Sequence, residues 1–160
     1  MSERNYWLMK SEPDVFGIDH LAASPNQTTK WEGVRNYQAR NYMRDSMKPG
    51  DGILFYHSNA NPLCIAGTAV VASEPYPDPT QFDPDSDYYD ATTPADNPRW
   101  ILVDVKLAQI FPAPVLRETM QQTSGLESMI VLQRGTRLSI HPVTASEWRI
   151  IHQLAGVEPI

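Results

Sequence analysis

A chain of 160 residues, 41% apolar and 20% charged, fits a single domain, residues 1–160, built on one core. The lone cysteine, Cys64, excludes an internal disulfide. No apolar run approaches the ~18 residues of a membrane span, and no basic-then-apolar leader opens the chain, so the expectation is a soluble, cytoplasmic protein with no membrane partner.

Net charge is −6, which on average disfavours phosphate binding, but the charge is unevenly placed. Residues 74–96 carry seven carboxylates and no Lys or Arg, and without them the rest of the chain stands at +1. Seven of the thirteen basic residues precede residue 49. The sequence therefore reads as bipolar.

Tyr6 to Lys10 is an aromatic-rich apolar run that predicts an opening strand, stopped by Pro13. Phe16, Ile18 and Leu21 suit a short helix ended by Ser24-Pro25, and polar Asn26 to Lys30 reads as a loop delivering Trp31. From Asn36, a good N-cap, Ala39, Met43 and Met47 fall at i, i+4 and i+8 and predict a core-facing helix. Arg40, Arg44 and Lys48 repeat one position over as a basic flank. Pro49 to Gly52 is a turn, Ile53 to His57 a strand, and Ile65 to Ser73 another, with Gly67 marking a bulge or a close backbone approach.

Residues 75–98 hold six prolines and predict a long acidic excursion outside the core: a lid, a brace or a flap. Ile101, Val103, Val105 and Leu107 alternate as a half-buried strand, after which Pro112 and Pro114 introduce a short helix around Leu116 to Gln122. Leu138 to His141 is a brief strand stopped by Pro142, and Thr144 to Glu147 is a capping box opening a final helix with Trp148, Ile151 and Leu154. About five strands in mixed order with peripheral helices indicate an α+β domain around a small barrel or strongly curved sheet.

Metal, cofactor and catalytic signatures are weak. The four histidines are scattered, and the Asp83-x-Asp85-x-Asp87 run has Tyr88 where a calcium loop needs glycine and Pro94 where it needs glutamate. Gly50-Asp51-Gly52 lacks the third glycine of a dinucleotide fingerprint, and no Gly-x-Ser-x-Gly elbow exists. His57 and Ser58, as strand neighbours, point to opposite faces and make no dyad. No metal and no cofactor are expected.

Trp31 stands apart. A tryptophan at the edge of an element is by default core. Yet Gly33 next to it permits a close approach, the helix after Asn36 aims partial positive charge towards it, and Arg35, Arg40 and Arg44 supply phosphate donors nearby. With Ser11 and Asn36 to read an edge, this is the chemistry that holds one unstacked base.

Met9-Lys10-Ser11-Glu12-Pro13 and the block from Trp31-Glu32-Gly33-Val34-Arg35-Asn36 to Asn41 resemble the signature of the EVE domain family. Phe55-Tyr56-His57-Ser58, Ile65-Ala66-Gly67, Tyr76-Pro77-Asp78, Asn97-Pro98-Arg99-Trp100 and Arg137-Leu138-Ser139-Ile140 extend the likeness from about Tyr6 to Leu154. The resemblance, which includes bacterial single-domain members, implies a PUA-like β-barrel of about five to six mostly antiparallel strands with peripheral helices, related to YTH and ASCH domains. It also implies a reader of modified bases, such as a modified cytosine or adenine, in DNA or RNA. By similarity to YTH domains, the pocket would be formed by Lys10, Ser11, Trp31, Val34, Asn36, Tyr37, Tyr56, His57 and Ser58. Lys30, Arg35, Arg40 and Arg44 would hold phosphates. The second aromatic wall stays open among Tyr37, Tyr56, Phe82, Tyr88 and Tyr89. The expectation is a non-catalytic, monomeric or weakly dimeric protein whose partner is nucleic acid. One alternative is an enzyme on a nucleotide or small aromatic ligand with His57 as general base; another is a protein-interaction module using the acidic excursion.

Overall fold

The computed structural model describes residues 4–160. Strand β1 (Tyr6–Ser11) leads into two short helices, α1 (Pro13–Phe16) and α2 (Ile18–Ala23). Pro13 sits in the first helical turn, where its missing N–H is not needed. The segment expected as a loop tightens into a three-residue edge strand, β2 (Thr28–Lys30). Helix α3 (Tyr37–Asn41) is capped as anticipated: the Asn36 side chain accepts from the Ala39 amide at 3.0 Å. It continues through a wider π turn at Tyr42–Ser46, and Ala39, Met43 and Met47 are all buried.

Strands β3 (Gly52–His57), β4 (Cys64–Val71), β5 (Tyr76–Pro77), β6 (Ile101–Leu102) and β7 (Asp104–Leu116) follow. Helix α4 (Arg117–Gln121), strand β8 (Ile140–Val143) and helix α5 (Ala145–Ala155) complete the chain. The fold is α+β. Six strands in the order β2-β7-β4-β3-β1-β8 make a curled half-barrel, and β5 and β6 form a separate two-stranded ribbon. Only β1 and β3 run parallel among the paired strands of the main sheet.

Several sequence expectations shift for identifiable reasons. The alternating stretch at 101–107 divides at Val103, whose carbonyl accepts the Trp31 amide at 3.0 Å while Ile101 and Leu102 pair with β5. Pro112 and Pro114 lie inside β7 rather than before a helix. They fall where the register with β4 shifts, so no ladder bond requires their missing donors. Pro142 belongs to β8, an edge strand paired only with β1. Gly67 is the close approach its position suggested: a Cβ there would run into the Gln109 carbonyl and lie 2.6 Å from Ile18.

The single expected core is in fact two, because the sheet buries both faces. Odd-numbered Trp7, Met9, Ile53 and Phe55 pack with Trp31, Leu21 and Met43 on one side. Even-numbered Leu8, Leu54 and Tyr56 pack with Met120, Met129 and Trp148 on the other. Strand alternation sorts them. Burial on both faces also explains why β3 reads as an unbroken apolar run.

Candidate functional site

A cavity of about 540 Å³ opens at the end of β1, on the odd-numbered face. Trp31 and Phe16 line it, with Ser11, Val34 and Tyr88. Trp31 is core and wall at once. It is only 8% exposed and packs edge-on to Phe55 with centroids 5.6 Å apart, yet borders the cavity.

Tyr88 arrives from the acidic excursion, 57 positions after Trp31 in the chain. Gly33 makes room for it. With φ at +88°, Gly33 lies so close under the phenol that a Cβ would meet the ring at 2.6 Å. Any other residue would therefore be strained in backbone and in contact with the ring. The Gly33 amide donates to Asp78 at 2.8 Å, fixing this turn to the start of the excursion.

Asp78 anchors the excursion. It is 1% exposed and accepts from the Thr80 amide and hydroxyl, the Gly33 amide and the Arg35 guanidinium. Burial alone would raise its carboxyl, but hydrogen bonds from Thr80, Gly33 and Arg35 outweigh that and hold it below the ordinary carboxylate range. Gln81, fully buried, donates to the Asp78 and Trp100 carbonyls and accepts from the Trp100 amide. At the far end Asp90 accepts from the Trp100 indole at 2.8 Å and from Arg99 at 3.1 Å. Of lid, brace and flap, this is a brace.

Arg35 ties the brace to the cavity. Its guanidinium donates to the Tyr88 carbonyl at 2.7 Å and 3.2 Å, to Asp78 at 3.1 Å and to the Thr80 hydroxyl at 3.0 Å. It also lies over the Tyr88 and Trp100 rings, 5.5 and 5.3 Å from their centroids. Tyr37 stacks on Trp100 at 5.1 Å, and Arg40 covers Tyr37 at 4.8 Å. Tyr88, Arg35, Trp100, Tyr37 and Arg40 thus form a ladder of three rings and two cations.

This places the expected site residues in three groups. Lys10, Ser11, Lys30, Trp31, Val34 and Arg35 border the cavity. Asn36, Tyr37, Arg40 and Arg44 do not. The Asn36 oxygen caps α3, Tyr37 and Arg40 belong to the ladder, and Arg44 pairs with its neighbour Asp45 at 2.8 Å. Arg40 further donates to the Arg99 carbonyl and to Asn41. Arg35, though at the cavity, has its donors committed to the brace, so the expected basic flank offers few open phosphate donors.

Tyr56, His57 and Ser58 also lie outside the cavity. Tyr56 and Ser58 border a different hollow. His57 is turned to the odd-numbered face, where its Nε2 accepts the Ile18 amide at 3.1 Å, and burial lowers its pKa despite Asp19 nearby. With that lone pair occupied, His57 secures α2 to β3 and has no accepting nitrogen for a general base. Ser11 likewise donates its hydroxyl to the Phe16 carbonyl at 2.6 Å, so towards a ligand it presents lone pairs only. Phe16, Gly33 and Tyr88 were not singled out as a unit by sequence; the spacing of Trp31 and Gly33 was the one local signal. Among the described residues no group of His, Cys, Asp and Glu is placed to hold a metal, and no helix is long and apolar enough to cross a membrane.

The EVE domain family matches residues 5–154. Human thymocyte nuclear protein 1 is 41% identical over 97% of this chain and 76% of its own length. A crystal structure from Pseudomonas putida is 45% identical with a TM-score of 0.89, covering 94% of this chain and 99% of that one. The human THYN1 protein in complex with 5-methylcytosine-containing DNA is 40% identical with a TM-score of 0.88, covering 97% and 99%. A yeast YTH domain, from Zygosaccharomyces rouxii, shares the fold at a TM-score of 0.53 and 15% identity over 97% of this chain and 88% of that one.

Proposed function

The chain belongs to the EVE domain family, and from that premise we propose that it is a non-catalytic reader taking one modified base into the cavity walled by Trp31 and Tyr88. The observation that carries this reading is that both rings border one cavity of about 540 Å³, a size suited to a small planar ligand. Stacking of a base on an aromatic side chain contributes about 1–3 kcal/mol. The complex of the human relative with 5-methylcytosine-containing DNA makes a modified cytosine the first base to test. Ser11, with its proton committed to Phe16, would accept from an exocyclic amino group rather than donate to a carbonyl.

The test is titration with 5-methylcytidine, N6-methyladenosine and the unmodified nucleosides, followed by tryptophan fluorescence. The chain has four tryptophans, and Trp31 alone borders the cavity. A selective change that disappears in Trp31→Phe supports the reading. Equal response to modified and unmodified nucleosides, or a response that persists in both Trp31→Phe and Tyr88→Ala, overturns it.

A further inference from the structure

A second cavity, of about 310 Å³, lies on the even-numbered face of the same sheet end. Lys10, Tyr56, Ser58, Arg117 and Arg134 border it, and Lys10 is the one residue it shares with the Trp31 cavity. The arrangement follows from register. Lys10 is paired with Tyr56 across the parallel β1–β3 ladder, so the two side chains share a face. Ser11, one residue on, turns to the other cavity. The Ser58 amide donates to the Ser11 carbonyl, which holds the ends of the two strands together at the rim between the cavities.

Three cations meet here, and among the described residues none of them has a carboxylate within ion-pair distance. Arg117 is held in place by a bond from its guanidinium to the Val131 carbonyl at 3.3 Å and lies beside the Tyr56 hydroxyl. Burial first, and then the charge of Arg117, lowers the pKa of the Lys10 ammonium. Converging positive charge of this kind is unfavourable until an anion neutralises it. Tyr56 stays protonated, since burial raises its pKa, so its hydroxyl remains a donor. Of the expected phosphate donors, Arg35, Arg40 and Arg44 are committed elsewhere and Lys30 stands alone at the rim of the Trp31 cavity, whereas this hollow gathers three cations without carboxylate partners among the described residues.

We propose that this hollow is an oxyanion subsite for a phosphodiester, with Lys10, Arg117 and Arg134 as its cations. Assigning the phosphate to the strand whose base enters the Trp31 cavity rests on the reading given above. The nucleic acid would then cross the end of the sheet at Lys10, base on one face and phosphate on the other.

Two measurements separate the subsite from the reader. Inorganic phosphate, titrated into the full chain and followed by nitrogen-resolved NMR, is expected to shift the Ser58 and Gly135 amides saturably and leave the Trp31 indole unmoved. The shifts should vanish in Arg117→Gln/Arg134→Gln; Arg134 is exposed, so Arg134→Gln alone keeps the test if the double variant does not fold. No saturable shift, or one unchanged in these variants, overturns the subsite whatever the Trp31 cavity binds. For the source of the phosphate, a single-stranded oligonucleotide carrying 5-methylcytosine is compared with free 5-methylcytidine. The variants should leave nucleoside affinity intact and shrink the slope of log K against log salt by about 0.7 for one lost phosphate contact. Unchanged oligonucleotide affinity and slope overturn the assignment to the strand. Failure of the nucleoside to bind at all counts against the reader and leaves the inorganic phosphate result standing on its own.

Discussion

The two cavities at the end of β1 and β3 are built in opposite ways. On the Trp31 face, the arginine at the cavity is neutralised. Arg35, Asp78 and Thr80 bond one another beside the aromatic walls, while Lys30 and Glu32, opposite in sign, stand exposed at the rim. On the other face, Lys10, Arg117 and Arg134 stand together unneutralised. The contrast teaches that a strand separates chemistry residue by residue. Lys10 reaches the second cavity while Ser11, its neighbour in sequence, borders only the first, and Tyr56 and His57 likewise turn to opposite faces.

The strongest way to break this comparison is to remove Trp31. Because it is core as well as wall, Trp31→Ala is expected to cost about 3–5 kcal/mol in denaturant unfolding, so lost binding in that variant carries no information about stacking. Trp31→Phe keeps most of the packing and isolates the binding effect. Cutting the brace comes next. Asp78→Ala leaves Arg35 and the Gly33 amide without their acceptor, and about 3–5 kcal/mol is expected for breaking such a buried pair. The same carboxyl predicts a pH dependence. Its folded pKa lies below the ordinary value, so its stabilisation is present above that value and is lost as pH falls through the folded pKa. Melting temperature followed downwards from neutrality through the carboxylate range should therefore drop more steeply in the native chain than in Asp78→Asn.

Smaller effects sharpen the contrast. Tyr88 is 41% exposed, so Tyr88→Ala should barely move the unfolding midpoint while weakening nucleoside binding by about 1–3 kcal/mol in titration. His57→Gln should be the mildest. Losing the Ile18 contact costs about 0.5–1.5 kcal/mol, and nucleoside affinity should be unchanged. A large loss of binding there, or any turnover that depends on His57, would reopen the enzymatic alternative.

Much of the fold was legible in the sequence because it rests on local signals. The Asn36 cap, the Ala39-Met43-Met47 stripe, the Thr144–Glu147 capping box and the tight spot at Gly67 all appeared where expected. Elements containing proline were misplaced, since whether a missing donor matters depends on which neighbour is present, and Pro112, Pro114 and Pro142 have none that needs it. The cavity was half legible. Trp31 announced itself, but Tyr88 reaches it only through the Arg35–Asp78 bonds, and no local pattern encodes a contact between residues 33 and 88. Tyr37, Arg40 and Arg44 misled because composition shows a charge or a ring without showing what it is already bonded to.

The brace holds itself in place with polar partners, chiefly Asp78, Gln81 and Asp90, more than with buried hydrocarbon. Opening it would therefore uncover little apolar surface. Denaturants and heat capacity both report newly exposed apolar area, so an opening of this kind should be nearly blind to urea and add little curvature with temperature. Amide hydrogen exchange in residues 78–90 is expected to follow such a denaturant-independent route, while amides of the central strand β3 exchange only with global unfolding. An opening of this kind would take the wall carrying Tyr88 from the cavity and leave the two cores intact behind it.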